Sequence, residues 1–200
     1  MMAKTGRPRV ESLDTAVLDA AEELVISEGY HAASIDGIAR RAGTTRPAVY
    51  RRHRSRGHVI IAAMARRFGL DPAPETGSLR GDLLAVQHAQ VEFFTDPLVT
   101  RALPGLLDEA ADDPALVQQI VDEFLAPRRQ STARALQRAV ERGETRPGVD
   151  FDWICDLLTG PLIMRAFLPT GPIDENLAQL TVDAALNALK VTPNWTAPTT

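Results

Sequence analysis

The chain has 200 residues, 44% of them apolar and 24% charged, a balance that can bury a core in one or two domains. No apolar run approaches the roughly 20 residues of a membrane span, and the basic stretch Met1 to Val10 is followed by no apolar segment, so neither a span nor a secretory leader is expected. Cys155 stands alone, which removes any internal disulfide and leaves a cytoplasmic protein as the simple expectation.

The net charge of −4 is unevenly spread. Residues 1–68 hold 12 Lys/Arg against 7 Asp/Glu, or +5, and residues 69–200 hold 10 against 19, or −9. A basic front with an acidic rear suits a front that meets a polyanion. Between Gly37 and Leu70 there are nine arginines and no acidic residue.

Residues 1–11 form a basic arm (Lys4, Arg7, Arg9) that Gly6 and Pro8 are expected to keep extended, either against DNA or as a loose terminus. A first helix is expected from an N-cap at Ser12, with Leu13, Val17, Ala20, Ala21 and Leu24 as its apolar stripe and Gly29 as its stop. Ser34 caps a second helix that buries Ile35, Ile38, Ala39 and Ala42 and ends at Gly43 after two turns. Thr45 is placed to cap a third, with Pro47 in the first turn where no N–H is needed. Two helices joined by a turn of about four residues containing Gly form a helix-turn-helix pattern. A fourth helix carries Val59, Ile60, Ala63 and Phe68. The Pro- and Gly-rich stretch from Leu70 to Ser78 marks a domain boundary, so that residues 12–69 form the front domain and 78–190 the rear.

The rear reads as helical throughout, giving an all-α chain of about nine helices. A helix at 79–95 puts Leu79, Leu83, Val86, Phe93 and Phe94 on one face, with Gln90 central and Gln87 at the edge. A shorter pair of helices follows from Asp96 to about Asp112. A long helix then runs from Asp113-Pro114 to Arg142, kinked at Pro127. Another covers 151–168, interrupted at Gly160-Pro161, and the last runs from Ile173 to Lys190. Residues 191–200 read as a loose tail.

The last helix is apolar on two opposite faces. Ile173, Leu177, Leu180, Ala184 and Ala188 make one, and Ala178, Val182, Ala185, Leu186 and Leu189 the other. One cover is the chain's own core. The other is either a second copy, in a two-fold packing with residues 151–168, or the rest of a monomeric bundle. The expected dimer interface comprises Trp153, Leu157, Pro161, Val182, Ala185, Leu186 and Leu189.

The front resembles the DNA-binding domain of the tetracycline-repressor (TetR/AcrR) family. The resemblance rests on Leu18-Asp19-Ala20-Ala21-Glu22-Glu23-Leu24, Gly29-Tyr30, Ser34-Ile35 and the run from Ile38 to Arg52. The chain departs from the family pattern at His53, where an aromatic is usual, and at Arg54-Ser55-Arg56, where a Lys usually opens the fourth helix. Ala126-Pro127-Arg128-Arg129, Val140 to Glu144 and Gly160-Pro161 are similar to one of the family's C-terminal ligand-binding and dimerisation domains.

The resemblance implies a third helix in the major groove of a double-stranded DNA operator. Arg46 would read guanine, and Thr44, Thr45 and Ala48 would touch phosphate or a thymine methyl. Tyr50 and Ser34 would hold the backbone, with Arg51, Arg52, His53 and Arg56 as positioning contacts. It further implies a homodimeric repressor released by an unknown, largely apolar small-molecule effector. Gln87, Gln90, Phe94, Arg128, Trp153 and Met164 are the candidate lining. A constitutive, ligand-free DNA binder is the first alternative. An all-helical enzyme is the second. No Gly-rich phosphate loop follows a strand, and His31, His53, His58 and His88 lack metal spacing. Asp108-Glu109 and Asp112-Asp113 read as helix ends. No cofactor, metal or catalytic residue is expected.

Overall fold

A computed structural model describes residues 7–69 and 74–190. The first six residues of the expected arm, positions 70–73 of the expected boundary and the tail at 191–200 lie outside the described residues. The described residues are helical, with no strand among them.

Helix α1 (Arg7–Glu28) begins five residues before the expected cap, so the arm is helical from Arg7 rather than extended. Pro8 permits this because first-turn residues need no N–H partner. Gly29, at φ 90°, stops α1 and leads into a single 3-10 turn, Tyr30–Ala32. Helices α2 (Ile35–Arg41), α3 (Arg46–Tyr50) and α4 (Arg56–Phe68) follow. Gly43 takes φ 63° between α2 and α3, where the Thr44 N–H bonds the Ala39 carbonyl at 2.9 Å and closes the end of α2.

Helix α5 (Leu79–Thr95) has the expected bounds. The expected helix pair after Asp96 is one helix, α6 (Pro97–Ala111), with Pro104 inside it. A proline removes one hydrogen bond without enforcing a break, and buried Leu98, Val99, Ala102 and Leu106 on both sides keep the rod continuous. Asp113 caps α7 (Pro114–Ile120) by accepting from the Ala115 and Leu116 N–H groups. A π turn, Val121–Leu125, joins α7 to α8 (Ala126–Glu141). The wider turn stands directly before Pro127, whose ring crowds the carbonyl four residues back, and is the distortion expected there. Helix α9 (Phe151–Phe167) runs through Gly160-Pro161 without the expected interruption, anchored by buried Leu158 and Leu162. Helix α10 (Glu175–Lys190) starts two residues late, where Asp174 accepts from the Leu177 N–H.

The chain forms two compact units. The first takes the described residues up to Gly69 together with Asp96–Pro127, and the second takes the remainder to Thr95 and from Arg128 onward. Helices α6 and α7 thus pack with the front, across the composition boundary at 70–78. In the first unit α1 packs on α2, α4 and α6, and α4 also meets α7. Glycines permit the approach of α6 to the 3-10 turn and of α4 to α7. A Cβ at Gly105 would sit 2.4 Å from the Tyr30 ring, and one at Gly57 would sit 2.6 Å from Leu116.

The second unit is built on α5, α9 and α10. Its core joins Leu79, Leu83, Leu136, Ala139, Ile154, Leu158, Val182, Ala185 and Leu189, with Leu157 and Leu186 packed against it. Val182, Ala185 and Leu189 therefore fill the chain's own interior and cannot meet a partner, against expectation. On the opposite side Leu180, at 53% exposure, and Ala184 are open, whereas Leu177 is buried and Ala188 packs against the core.

Candidate nucleic-acid interface

The helix-turn-helix is assembled by local devices. The Ser34 hydroxyl accepts from the Gly37 N–H at 3.1 Å and starts α2. Thr45 holds the N-cap position of α3 in extended backbone, but its side chain makes no capping bond. The α3 N–H groups are served by backbone instead, since Ala48 and Val49 donate to the Thr45 carbonyl. Val49 is fully buried and fixes α3 against the unit.

Arg46 projects from the front of α3. Its guanidinium donates to Asp36 and to the Tyr50 hydroxyl, both at 3.2 Å, and lies 5.3 Å from the Tyr50 ring centroid. The Tyr50 hydrogen bond, then the Asp36 charge, raise its pKa and leave it a permanent cation. Thr45, Arg46, Tyr50 and Arg51 are exposed, Thr44 is half-buried, and Ser34 is exposed at the mouth of α2.

Four expected contacts are placed differently. Ala48 is 7% exposed and packs inward beside Val49, so its methyl does not reach outward. Arg52 donates to the Ala48 carbonyl at 3.4 Å and pairs with Asp14 of α1 at 3.5 Å. His53 sits almost covered with Nε2 3.4 Å from the same Asp14 carboxylate. Arg56 turns inward to Glu109 at 3.0 Å and stacks over Tyr30 at 4.7 Å. Arg40 and Arg54, absent from the expected set, are exposed and form no ion pair among the described residues. Their signal was present in the acid-free arginine run.

Glu109 is the centre of a second arrangement that its reading as a helix end missed. From inside α6 it accepts from the Tyr30 hydroxyl at 2.7 Å, Arg56 Nε at 3.0 Å, the Gly57 N–H at 3.2 Å and the Ser55 hydroxyl. Burial pushes its carboxyl up, but the bonds from Ser55, Tyr30, Arg56 and Gly57 outweigh burial and hold it below the usual value. Burial, then the Glu109 bond, push the Tyr30 phenol well up. Four donors from the α1–α2 connection and the start of α4 thus converge on one α6 carboxylate.

The expected effector residues separate into two groups. Gln87 is wholly buried rather than at an edge. Its Nε2 donates to the Leu158 carbonyl at 2.9 Å and to the Thr181 hydroxyl. Gln90 is half-buried, Phe94 is buried edge-on against Phe93 at 5.0 Å, and Arg128 lies 5.1 Å over the Phe93 ring. Desolvation lowers the Arg128 pKa to about 10. Trp153 and Met164, by contrast, are 55% and 53% exposed. They share an outward stripe of α9 with Pro161 and the outer edge of half-buried Leu157, continued by exposed Leu168 just past the helix end, so neither lines the interior.

Comparison with known proteins covers both ends of the chain. Residues 17–63 match the family described as bacterial regulatory proteins, tetR family, and residues 73–185 match the tetracyclin repressor-like C-terminal domain. The DNA-binding transcriptional repressor TetR of Mycobacteroides abscessus is 30% identical over 183 residues, 90% of this chain and 95% of the relative. The uncharacterized HTH-type transcriptional regulator YdeS of Bacillus subtilis is 27% identical over 191 residues, 95% of this chain and 94% of the relative. Among solved structures, the TetR family transcription regulator SCO0332 superposes with a TM-score of 0.71 at 28% identity, covering 91% of this chain and all of that one. No helix among the described residues is long and apolar enough to cross a membrane.

Proposed function

Because the chain belongs to the TetR family of transcriptional regulators, we propose that it is a homodimeric repressor that leaves a palindromic operator when a small, largely apolar effector binds. The observation that carries the DNA reading is the exposed group Thr45, Arg46, Tyr50 and Arg51, set on a helix-turn-helix with no acidic residue from Gly37 to Leu70. Arg46 reads a guanine edge, for which its length and two-pronged guanidinium suit it. Ser34, Thr44, Thr45, Tyr50 and Arg51 hold phosphates, joined by exposed Arg40 and Arg54. Asp36 and Tyr50 pre-position the Arg46 guanidinium, and Arg52, His53 and Arg56 act by holding α1, α4 and α6 in place.

Two copies meet through the open faces of α9 and α10, where Trp153, Leu157, Pro161, Met164 and Leu180 offer apolar surface. Such a pair reads half-sites about 34 Å apart. The effector enters the second unit beside Gln87, Gln90 and Phe94, and it favours a spacing that no longer fits the operator. The Glu109 cluster is the joint through which a shift of α6 reaches the start of α4.

Selection of bound fragments from genomic DNA tests this reading. A palindrome with half-sites one helical turn apart, whose affinity falls steeply with salt, is the expected result. Enrichment of no sequence, or a flat salt dependence, would sink it.

A further inference from the structure

The side chain of Gln87 defines its own unmet need. Its amide orientation is settled by chemistry, because the Leu158 carbonyl only accepts and must face the Nε2 amine at 2.9 Å. Thr181 agrees: its hydroxyl donates to the Ala178 carbonyl at 2.9 Å and so accepts from the same amine. Both amine hydrogens are thereby used. The carbonyl Oε1 is left wholly buried with no hydrogen-bond partner among the described residues. Gln90, one turn along α5, also has a buried Oε1 with no hydrogen-bond partner among the described residues.

Two buried acceptors that no described protein group serves, on one face of one helix, are costly to leave unmet. Their neighbours on α5 are the buried apolar side chains Leu83 and Phe94, and of the partners of Gln87, Leu158 is itself buried and Thr181 precedes buried Val182. A further turn along α5, the Arg128 guanidinium already lies over the Phe93 ring. A second cation brought into this unit would meet like charge in a desolvated setting.

We propose that the effector of this protein is an apolar molecule that carries a hydroxyl or N–H donor and no fixed positive charge, its donor held by Gln87 Oε1 and then Gln90 Oε1. This rests on the effector-controlled reading above and adds the chemistry of the ligand. A purely apolar molecule leaves the acceptors unmet. An ether or ketone of the same shape sets a lone pair against them. Desolvated Arg128, whose pKa burial brings down to about 10, is compatible with a neutral or anionic ligand.

The test uses the full chain and paired probes in which the donor hydrogen is replaced by a methyl group, 2-naphthol against 2-methoxynaphthalene and 1-decanol against decyl methyl ether. 2-Naphthylmethylammonium serves as the cationic probe. Binding is read by calorimetry and thermal shift, and operator release by fluorescence anisotropy. Alcohols are expected to bind up to about tenfold more tightly than their ethers, the factor of one net hydrogen bond, and the cation is expected not to bind. Gln87→Met should bring the alcohol-to-ether ratio close to one. Should Gln87→Met melt too early to assay, Gln90→Leu, at a half-buried site, should lower the same ratio.

Equal binding of alcohol and ether, a ratio unchanged by both substitutions, or no binding by any probe would overturn the proposal and leave ordered water as the donor. Donor-selective binding that depends on Gln87 but releases no operator would uphold the site chemistry. That outcome would instead reject control of DNA binding by the effector.

Discussion

Asp36 and Tyr50 already orient the Arg46 guanidinium, which lowers the ordering cost of the proposed guanine contact. Arg46→Ala should weaken cognate operator binding by about 1–3 kcal/mol and relax preference at one base pair. Anisotropy titrations against single-base-pair variants measure both, and equal loss on random DNA would reduce Arg46 to a backbone contact. Glu109 gives a second residue-scale prediction. Its carboxyl is held below the ordinary value near 4.3, so its contribution to stability is complete above that pH and is lost as pH falls through the lowered value. Urea unfolding should therefore show Glu109→Gln less stable by about 2 kcal/mol at pH 7. The gap should narrow below pH about 4, where wild type loses its charge and Gln has none to lose. Neither Glu109 nor His53 was legible as a hub. Asp14 lies on α1 and His53 after α3, and the donors to Glu109 come from positions 30, 55, 56 and 57. No local period or spacing joins such residues.

Elements whose signals are local were readable. Ser34, Gly43 and Pro47 punctuate α2 and α3 within fourteen residues, and the structure places those helices accordingly. Helix α6 was expected as a pair and α9 as interrupted at Gly160-Pro161, yet both run on, because the local cost of Pro104 and Pro161 is outweighed by burial on both sides. The packing of α6 on the front was also hidden, since it depends on how Gly105 meets Tyr30. Gly105→Ala puts a methyl into the Tyr30 ring and should destabilise the protein by about 1–3 kcal/mol. Gly160 in α9 is the contrast within a single chain, because a Cβ there meets nothing within 4 Å in its own chain, although it borders the proposed partner face. In the isolated helix, Gly160→Ala should stabilise by about 0.5–1 kcal/mol. Thermal melts of the two variants should move in opposite directions. A common direction would mean that the α9 surface is covered closely at Gly160.

For the whole molecule, the proposed dimer turns on which face of α10 would meet a second copy, since its sequence is apolar on both. Val182, Ala185 and Leu189 belong to the core, whereas Leu180 and Ala184 face outward, as Trp153, Pro161 and Met164 do on α9. The same chemical change on the two faces should therefore have different outcomes. Val182→Glu places an unpaired carboxylate in a dry core and should abolish the cooperative thermal transition. Leu180→Glu, alone or with Trp153→Glu, should retain helical circular dichroism and a cooperative melt, while light scattering at micromolar concentration falls from dimer to monomer mass. Operator affinity should fall with it, because one head loses the effective concentration supplied by its tethered twin. A folded Leu180→Glu/Trp153→Glu protein that remains dimeric and binds the operator as before would place the partner elsewhere, and the stripe from Trp153 to Leu168 would need another cover.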